Sequence, residues 1–341
     1  MRFDIYGKIG RGALVASLLL LTVAMVGCHK KKVKVEGPKG VDYAAVTIPV
    51  FSADSAYRYT EEQLAFGYRV PGSAAHRECG DYLVKKMREW CDTVIEQPFS
   101  ATLWDGKTVK GRNIIGSIGK DEVQRVLLCA HWDSRAWADH DPDEGNHKKP
   151  IAGANDGAGG VATLMELARV MSAQRPGIGV DFVFFDVEDQ GKPEWSDGPY
   201  EDNTWCKGSQ YWAKNPHVPF YNALFGILFD MVSCDNPRFT KEEVSRNFAK
   251  NIMDKLWNVA AVTGAQNIFV NQNTDAILDD HLYVNQIAKI PTIDVVQNSE
   301  GCSFFPYWHT MGDNLEAVNR ESMETVANVT MKMIYGDYPK K

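Results

Sequence analysis

Acidic and histidine side chains follow the apolar runs of this sequence, and they are of the types that bind metals or transfer protons. The run "VDFVFFDV" leads into Glu188 and Asp189, and "RVLLCA" leads into His131. Burying a carboxylate costs several kcal/mol unless a partner compensates it. Zn²⁺ accepts carboxylate oxygens and neutral imidazole nitrogens, about four of them at roughly 2.0–2.2 Å. We therefore expect these acids to face a cation.

Other segments repeat the pattern. Asp230 follows "ALFGILF", Asp294 stands in "IPTIDVV", Asp156 ends "GAND" before a long helical pattern, and His309 lies in a later loop. A single aspartate after a strand is usually a turn residue or a helix cap. Several such endings indicate a shared site, because the carboxyl ends of parallel strands meet at one edge of a sheet. The spacing is long-range, so it is less specific than an H-E-x-x-H helix.

The elements that would position these residues alternate between strands and helices. Near-continuous Val, Leu and Phe runs between amphipathic helices indicate an α/β fold, with a mainly parallel central sheet flanked by helices on both faces. Asp105-Gly106 predicts the turn of a hairpin across residues 92–119. We predict one catalytic domain over residues 51–338. Its strands are predicted within 125–133, 180–188, 222–232 and 290–297, and its helices within 52–66, 74–90, 161–174, 247–264 and 321–336.

The first residues predict where in the cell the protein is located. Residues 1–27 combine a basic head with an apolar run over 13–26 that is shorter than the roughly 20 residues of a membrane span, which favours a signal peptide. Gly27-Cys28 resembles a bacterial lipobox, so we expect a lipid on Cys28, a tether over residues 28–50, and a membrane-anchored protein facing the periplasm or the cell exterior. An uncleaved N-terminal anchor is the alternative.

Charge and cysteine content exclude some functions. The net charge is −7, and it becomes −9 without residues 1–27, so an acidic body argues against nucleic acid as a partner. The later cysteines have no C-x-x-C spacing, and their pairing stays open. Cys129 and Cys234 lie in apolar runs and are predicted to be buried thiols. The cysteines after Cys28 are Cys79, Cys91, Cys129, Cys206, Cys234 and Cys302.

Six segments carry a family resemblance. "HWDSR", "GANDGAGGVATLMELAR", "FFDVED", "KGSQYW", "DDH" and "WHTMGDN" occur in the order found in glutaminyl cyclases, enzymes that look like zinc aminopeptidases with a changed reaction. The resemblance spans roughly residues 60–335. It implies the zinc aminopeptidase-like α/β/α fold, one Zn²⁺ per chain, and conversion of the N-terminal Gln of peptides or proteins to pyroglutamate with release of ammonia.

The resemblance also implies site residues at matching positions. Because several acids surround the general acid/base, we expect its pKa to be raised. Three departures from animal cyclases stand out: Asp189 replaces Glu, Gly157 replaces Ser and Asp294 replaces His. The implied set is the zinc ligands Asp156, Asp189 and His309, the general acid/base Glu188, the relay acids Asp230 and Asp279, and the aromatic pocket walls Trp195, Phe304 and Trp308.

Two other functions stay open. A two-zinc aminopeptidase would hold a second zinc through His131 and Asp230, with Asp156 as the bridge. A non-catalytic surface module would keep the fold as a binding platform. Asp279 has a simpler role available as a helix cap. The loop 139–147 has a calcium-like composition without EF-hand spacing and is predicted to be solvated. Polar surroundings predict exposed rings for His76, His140, His147 and His217.

Overall fold

The computed structural model describes residues 40–197, 199, 201–298 and 304–340. They belong to one compact unit, Val35–Lys341. The predicted signal peptide, Cys28 with its predicted lipid, and Cys302 lie outside the described residues. Within them, no helix combines the length and apolar character needed to cross a membrane. The five described cysteines are free thiols, and Cys129 and Cys234 are buried as predicted.

A six-stranded sheet forms the centre of the unit, in the order β1-β2-β4-β3-β5-β8. Strands β4, β3, β5 and β8 run parallel, whereas β1 and β2 form the predicted antiparallel hairpin, with Gly106 at positive φ in its turn. The predicted mainly parallel sheet is therefore confirmed. A short parallel pair, β6–β7, lies outside it and was not predicted. The strands are β1 Thr93–Thr102, β2 Thr108–Ile118, β3 Arg125–His131, β4 Gly179–Phe185, β5 Gly226–Asp230, β6 Phe239–Lys241, β7 Phe269–Asn273 and β8 Thr292–Val296.

The predicted long helices form within a few residues of their expected bounds. Ser52 and Ser73 begin the first two, because each side-chain oxygen accepts a backbone N–H of the first turn. The central helix α3 is buried along nearly its whole length, which explains its run of small and aliphatic residues. The helices are α1 Ala53–Leu64, α2 Ala74–Trp90, α3 Gly160–Ala173, α4 Lys207–Lys214, α5 Glu243–Val262, α6 Asp280–Tyr283 and α7 Arg320–Asp337.

Alternation along the strands divides the core between the two faces of the sheet. Leu128 and Phe182 pack into the larger core with α1, α2, α3, α5 and α7. Cys129 and Val183, one position further along, pack into a smaller core with α4 and the segment after α6. Burial on both faces explains why these strands are continuously apolar. The loops that carry the polar residues lie at the sheet edge where the parallel strands end.

Residues 40–50, the end of the predicted tether, lie against α7. The Tyr43 hydroxyl donates to Asp337 at 2.6 Å, and the Lys332 ammonium donates to the Ala44 carbonyl at 2.9 Å. A side chain at Gly336 would meet the Tyr43 ring, so the close approach requires glycine there. The contacts of the folded unit thus begin before residue 51.

Candidate metal and active site

Three side chains from distant segments converge at the carboxyl edge of the sheet. Asp189 follows β4, Asp156 precedes α3, and His309 lies in the loop after β8. The His309 Nε2 atom is 3.1 Å from Asp189 Oδ1 and 3.8 Å from Asp156 Oδ2. One ligand atom of each lies within 4.8 Å of the others, and all three residues are buried. The structure therefore brings together the three predicted zinc ligands.

The donor set fits zinc. Two ligands of a tetrahedral zinc are roughly 3.4 Å apart, close to the observed separations. Among the described residues, Asp189 Oδ2 has no hydrogen-bond partner although it is buried. Burial and then Arg135 hold the pKa of His309 well below its usual value, so its imidazole is neutral. Burial and the neighbouring Asp156 raise the pKa of Asp189 well above its ordinary value, and a cation would relieve that repulsion.

His131 extends the cluster. Its Nε2 atom lies 2.9 Å from Asp156 Oδ1 and 3.4 Å from Asp230 Oδ1, so these three also form a possible metal group. Within the described part of the chain neither ring nitrogen makes a hydrogen bond of good geometry. The residue types that a second zinc would need are therefore adjacent to the first group.

Two buried aspartates hold the backbone segments that carry the metal carboxylates. Asp133 accepts the N–H groups of Glu188 at 3.0 Å and Asp189 at 3.2 Å. Asp313 accepts the N–H of Asn155 at 2.8 Å and that of Asp156 at 3.2 Å. Such outer contacts fix how metal ligands are oriented. The prediction did not include either residue, although both stand in the quoted motifs "HWDSR" and "WHTMGDN".

Arg135 is a further site residue that the sequence prediction missed. It is buried, donates twice to Asp139, and donates to the Asp189 carbonyl at 3.1 Å and to Asp189 Oδ1 at 3.3 Å. Asp139 Oδ1 also lies 3.5 Å from the His309 Nδ1 atom. The loop 139–147, which was predicted to be solvated, is only partly exposed to solvent, because Asp139 and Asp141 are buried. The arginine in "HWDSR" was the available signal.

Glu188 lies beside the metal group. It is 9% exposed, and its Oε2 atom is 4.0 Å from His131 Nδ1. Burial, followed by the negative charges of Asp189 and Asp279, raises the pKa of Glu188 well above its ordinary value, whereas His131 opposes that rise. The direction agrees with the expectation from the sequence, and it suits a group that takes up and returns a proton.

Behind Glu188, acids continue into the interior. Asp279 caps α6 by accepting the Asp280 N–H, which confirms the simpler of its two predicted roles, and it also faces the cavity. Burial raises the pKa of Asp294 well above its ordinary value, and the negative charges of Asp279 and Asp230 add to that rise. Asp279, His281 and Asp294 each offer one ligand atom within 4.8 Å of the others. Asp230 contributes to the raised pKa of Asp279 through its charge. The His281 Nδ1 atom lies 3.7 Å from Asp294 Oδ2, and its Nε2 atom lies 3.2 Å from Glu242 Oε1.

The acids open into a cavity of about 240 Å³. Phe304 and Trp308 line it as predicted, with ring centroids 4.7 Å apart, and Trp308 stacks on His309 at 3.8 Å. The structure places Trp195 outside this lining, in contact with Trp104 and Trp137. Trp205, which the sequence prediction did not single out, forms the wall instead. Its ring is parallel to that of His309, and Arg135 lies 4.7 Å from its centroid.

The histidines outside the metal group differ in burial. His140 is exposed as predicted and lines the cavity, whereas His147 and His217 are half-buried. The prediction for His76 was wrong: it is buried, its Nε2 atom bonds both Asp186 oxygens at 2.8 and 3.0 Å, and its ring stacks on Trp132 at 4.3 Å. The prediction relied on the polar sequence neighbours of His76, but the position of this residue on α2 directs its ring into the protein interior.

Comparisons with known proteins agree with this geometry. Residues 113–334 match the model of peptidase family M28. A glutaminyl cyclase from Bacteroides thetaiotaomicron, solved with N-acetylhistamine bound, is 44% identical over 85% of this chain and 99% of its own, with a TM-score of 0.83. The cyclase of Tannerella forsythia is 46% identical over 84% of this chain and 99% of its own, with a TM-score of 0.82.

A protein named as a Zn-dependent exopeptidase, from Parabacteroides distasonis, is similar to the same degree. It is 45% identical over 85% of this chain and 99% of its own, with a TM-score of 0.83. The M28 match covers well over half of the chain, and the two cyclases are matched along almost their whole length. The chain therefore belongs to peptidase family M28 and, within it, to the glutaminyl cyclases.

Proposed function

We propose that this protein converts the N-terminal Gln of peptides and proteins to pyroglutamate and ammonia, with one zinc ion held by Asp156, Asp189 and His309. One observation carries the proposal: these ligand atoms, the buried Glu188 and an aromatic wall meet in one small cavity. The cavity has room for about one side chain, which suits a reaction confined to the first residue of the substrate.

The reaction needs little covalent help from the protein. The substrate's own α-amine attacks its γ-amide carbon, so the new C–N bond forms as ammonia leaves. Because nucleophile and electrophile belong to one residue, the effective molarity is already high. The protein must hold the side chain bent, polarise the γ-carbonyl, and move one proton. Zinc bound by the three ligands would supply the polarisation as a Lewis acid.

Glu188 is the group that moves the proton. Its carboxylate takes a proton from the attacking amine and returns it to the departing ammonia. A pKa raised by burial and neighbouring acids allows both transfers near neutral pH. Asp279, supported by Asp230 and Asp294, positions the amine and the leaving group from the cavity wall.

The aromatic residues exclude water. Phe304, Trp308 and Trp205 surround the space next to His309. Their faces suit the aliphatic stem of glutamine, and a dry cavity strengthens the electrostatic interactions on the γ-carbonyl. Dryness also suppresses hydrolysis of the γ-amide, the competing reaction.

The test is to incubate purified protein with a short Gln-initiated peptide and to record the product mass and the ammonia released. A product lighter by one ammonia, absent with Glu188→Gln, supports the proposal. Loss of a whole residue would show an aminopeptidase. No reaction, with zinc bound, would leave only a binding module.

A second function has one specific observation in its favour. His131, Asp156 and Asp230 could hold another zinc next to the first, the arrangement that a two-zinc aminopeptidase requires. Zinc content separates the two functions, because the cyclase proposal expects about one zinc per chain. Two tightly bound zinc ions together with removal of N-terminal residues would favour the peptidase.

We also propose that lipid on Cys28 anchors the protein to a bacterial membrane, with the catalytic unit facing the periplasm or the exterior. The small residue before Cys28 and the short apolar run support this location. In the native host, the wild-type protein should fractionate with membranes, and Cys28→Ser should keep its uncleaved leader. Mature protein in the soluble fraction would contradict the anchor.

A further inference from the structure

The carboxyl group of Glu188 has a neighbour that the mechanism above does not use. The Cys206 thiol lies at the start of α4, with its Sγ atom 3.2 Å from Glu188 Oε1. The thiol is fully buried. Burial and the adjacent Glu188 charge raise the pKa of Cys206 well above its ordinary value, so the thiol keeps its proton. The S–H group therefore donates, and the carboxylate oxygen accepts.

The backbone is arranged to keep this pair together. The Cys206 N–H donates to the Glu188 carbonyl at 2.9 Å, and the Lys207 N–H donates to the Val187 carbonyl at 3.0 Å. Val187 and Cys206 both have left-handed backbone conformations, with φ of 57° and 53°. Such a conformation is uncommon for a residue with a Cβ and unusual for a β-branched one, because the Cβ atom approaches the backbone too closely. Strain held at two facing positions is typical of functional segments.

The two oxygens of Glu188 consequently differ. Oε1 accepts the thiol hydrogen, while Oε2 lies 4.0 Å from His131 Nδ1. A glutamate side chain has several rotamers, and a carboxylate that turns freely spends less time in the geometry of proton transfer. We infer that Cys206 is a positioning residue, which fixes Glu188 through the S–H···Oε1 bond so that Oε2 exchanges the proton with the substrate amine. The inference rests on the proposed function.

A thiol that merely fills space predicts a different outcome. Serine and alanine are both smaller than cysteine, but only serine keeps a donor at this position. If packing alone matters, Cys206→Ser resembles or falls below Cys206→Ala, because an unneeded buried hydroxyl is costly. If the hydrogen bond to Glu188 matters, serine restores what alanine loses.

The experiment compares wild type with Cys206→Ser, Cys206→Ala and Cys206→Gly, measuring kcat and KM for a Gln peptide, zinc content and melting temperature. Glycine tolerates the left-handed conformation, so it provides a donor-free variant even if the alanine variant does not fold. We expect kcat to fall about tenfold for Ala and Gly, with KM within about twofold and zinc retained, and the Ser variant to stay within about threefold of wild type.

Cys79→Ala is the matched control, because Cys79 is an equally buried free thiol in the larger core. It should lower the melting temperature and leave kcat unchanged. Equal losses for Ser and Ala, or an unchanged kcat in both Ala and Gly variants, would overturn the role of Cys206. If wild type releases no ammonia from Gln peptides, the proposed function fails first, and this inference fails with it.

Discussion

Asp186 and Asp189 are both buried and only three positions apart, yet they differ in their partners. Asp186 accepts hydrogen bonds from the Arg112 N–H at 2.6 Å and the Val187 N–H at 2.8 Å, in addition to its pair with His76. Asp189 contacts Arg135 and His309 through Oδ1, and its Oδ2 has no hydrogen-bond partner within the described ranges.

The difference separates a structural acid from a ligand. Protein groups satisfy Asp186, so it joins α2 to the end of β4 and needs nothing further. Asp189 faces Asp156 instead, and two buried carboxylates are stable together only if a proton or a cation lies between them. Val187, with its positive φ, turns the chain between them, so one acid faces the helix layer and the other faces the crevice.

Exchanging each acid for its amide tests the contrast most directly. We expect Asp189→Asn to weaken zinc binding at least 100-fold and to abolish turnover, because the amide is a poor ligand for zinc. Asp186→Asn should keep stoichiometric zinc and a kcat within about twofold, while the unfolding free energy drops by about 1–3 kcal/mol. Zinc titration, kinetics and denaturant unfolding provide the three readouts. Equal loss of zinc in both variants would remove the distinction.

Glu188 tests whether the neighbour of the ligand acts on protons rather than on zinc. In Glu188→Gln we expect kcat to fall by about 10²–10⁴, because the amide cannot accept the amine proton, with zinc content unchanged. Steady-state kinetics and metal analysis on the same sample measure both. Loss of zinc in this variant would place Glu188 among the ligands.

The two tryptophans that the structure separates give a smaller effect. Trp205→Ala should raise KM about tenfold, since its ring forms the cavity wall beside His309. Trp195→Ala is the matched control and should change KM less than about twofold for a single-residue substrate such as glutaminamide, because its ring packs on Trp104. A larger increase in KM for Trp195→Ala than for Trp205→Ala would contradict the assignment of Trp205 as the cavity wall.

The pH dependence sharpens the comparison further. The pKa values of Asp156 and Asp189 are raised in the metal-free fold, mainly by burial, so the folded state binds protons that the unfolded chain releases above its ordinary pKa of 3.8. Metal-free stability from these groups therefore falls as pH rises, and zinc replaces the protons. We expect the melting-temperature gap between zinc-loaded and chelated protein to widen from about pH 5.5 to about pH 8. A constant gap would contradict the assignment of these carboxylates as ligands.

Prediction from sequence succeeded where the pattern is local or carried by a motif. The apolar period gave the strands and the long helices, and the motifs indicated Asp156, Asp189 and His309, which the structure brings together. The sequence prediction missed residues whose role depends on the direction in which the side chain points. Trp195 and Trp205 are equally aromatic in sequence, and only the path of the loop between β4 and α4 turns Trp205 into the cavity. His76 has polar neighbours in sequence, but α2 presents it to buried Asp186.

The sequence by itself determined the fold class, the edge of the sheet at which chemistry gathers, and the residue types of the metal group, because hydrophobic periodicity and strand-end residues are local properties. Only the tertiary structure decided which acids are satisfied and which remain available to a cation. The hydrogen-bond partners of the site segments come from distant parts of the chain, and they reach these segments only when the sheet and its helices are packed. These partners include His76, Arg135, Asp313 and Cys206.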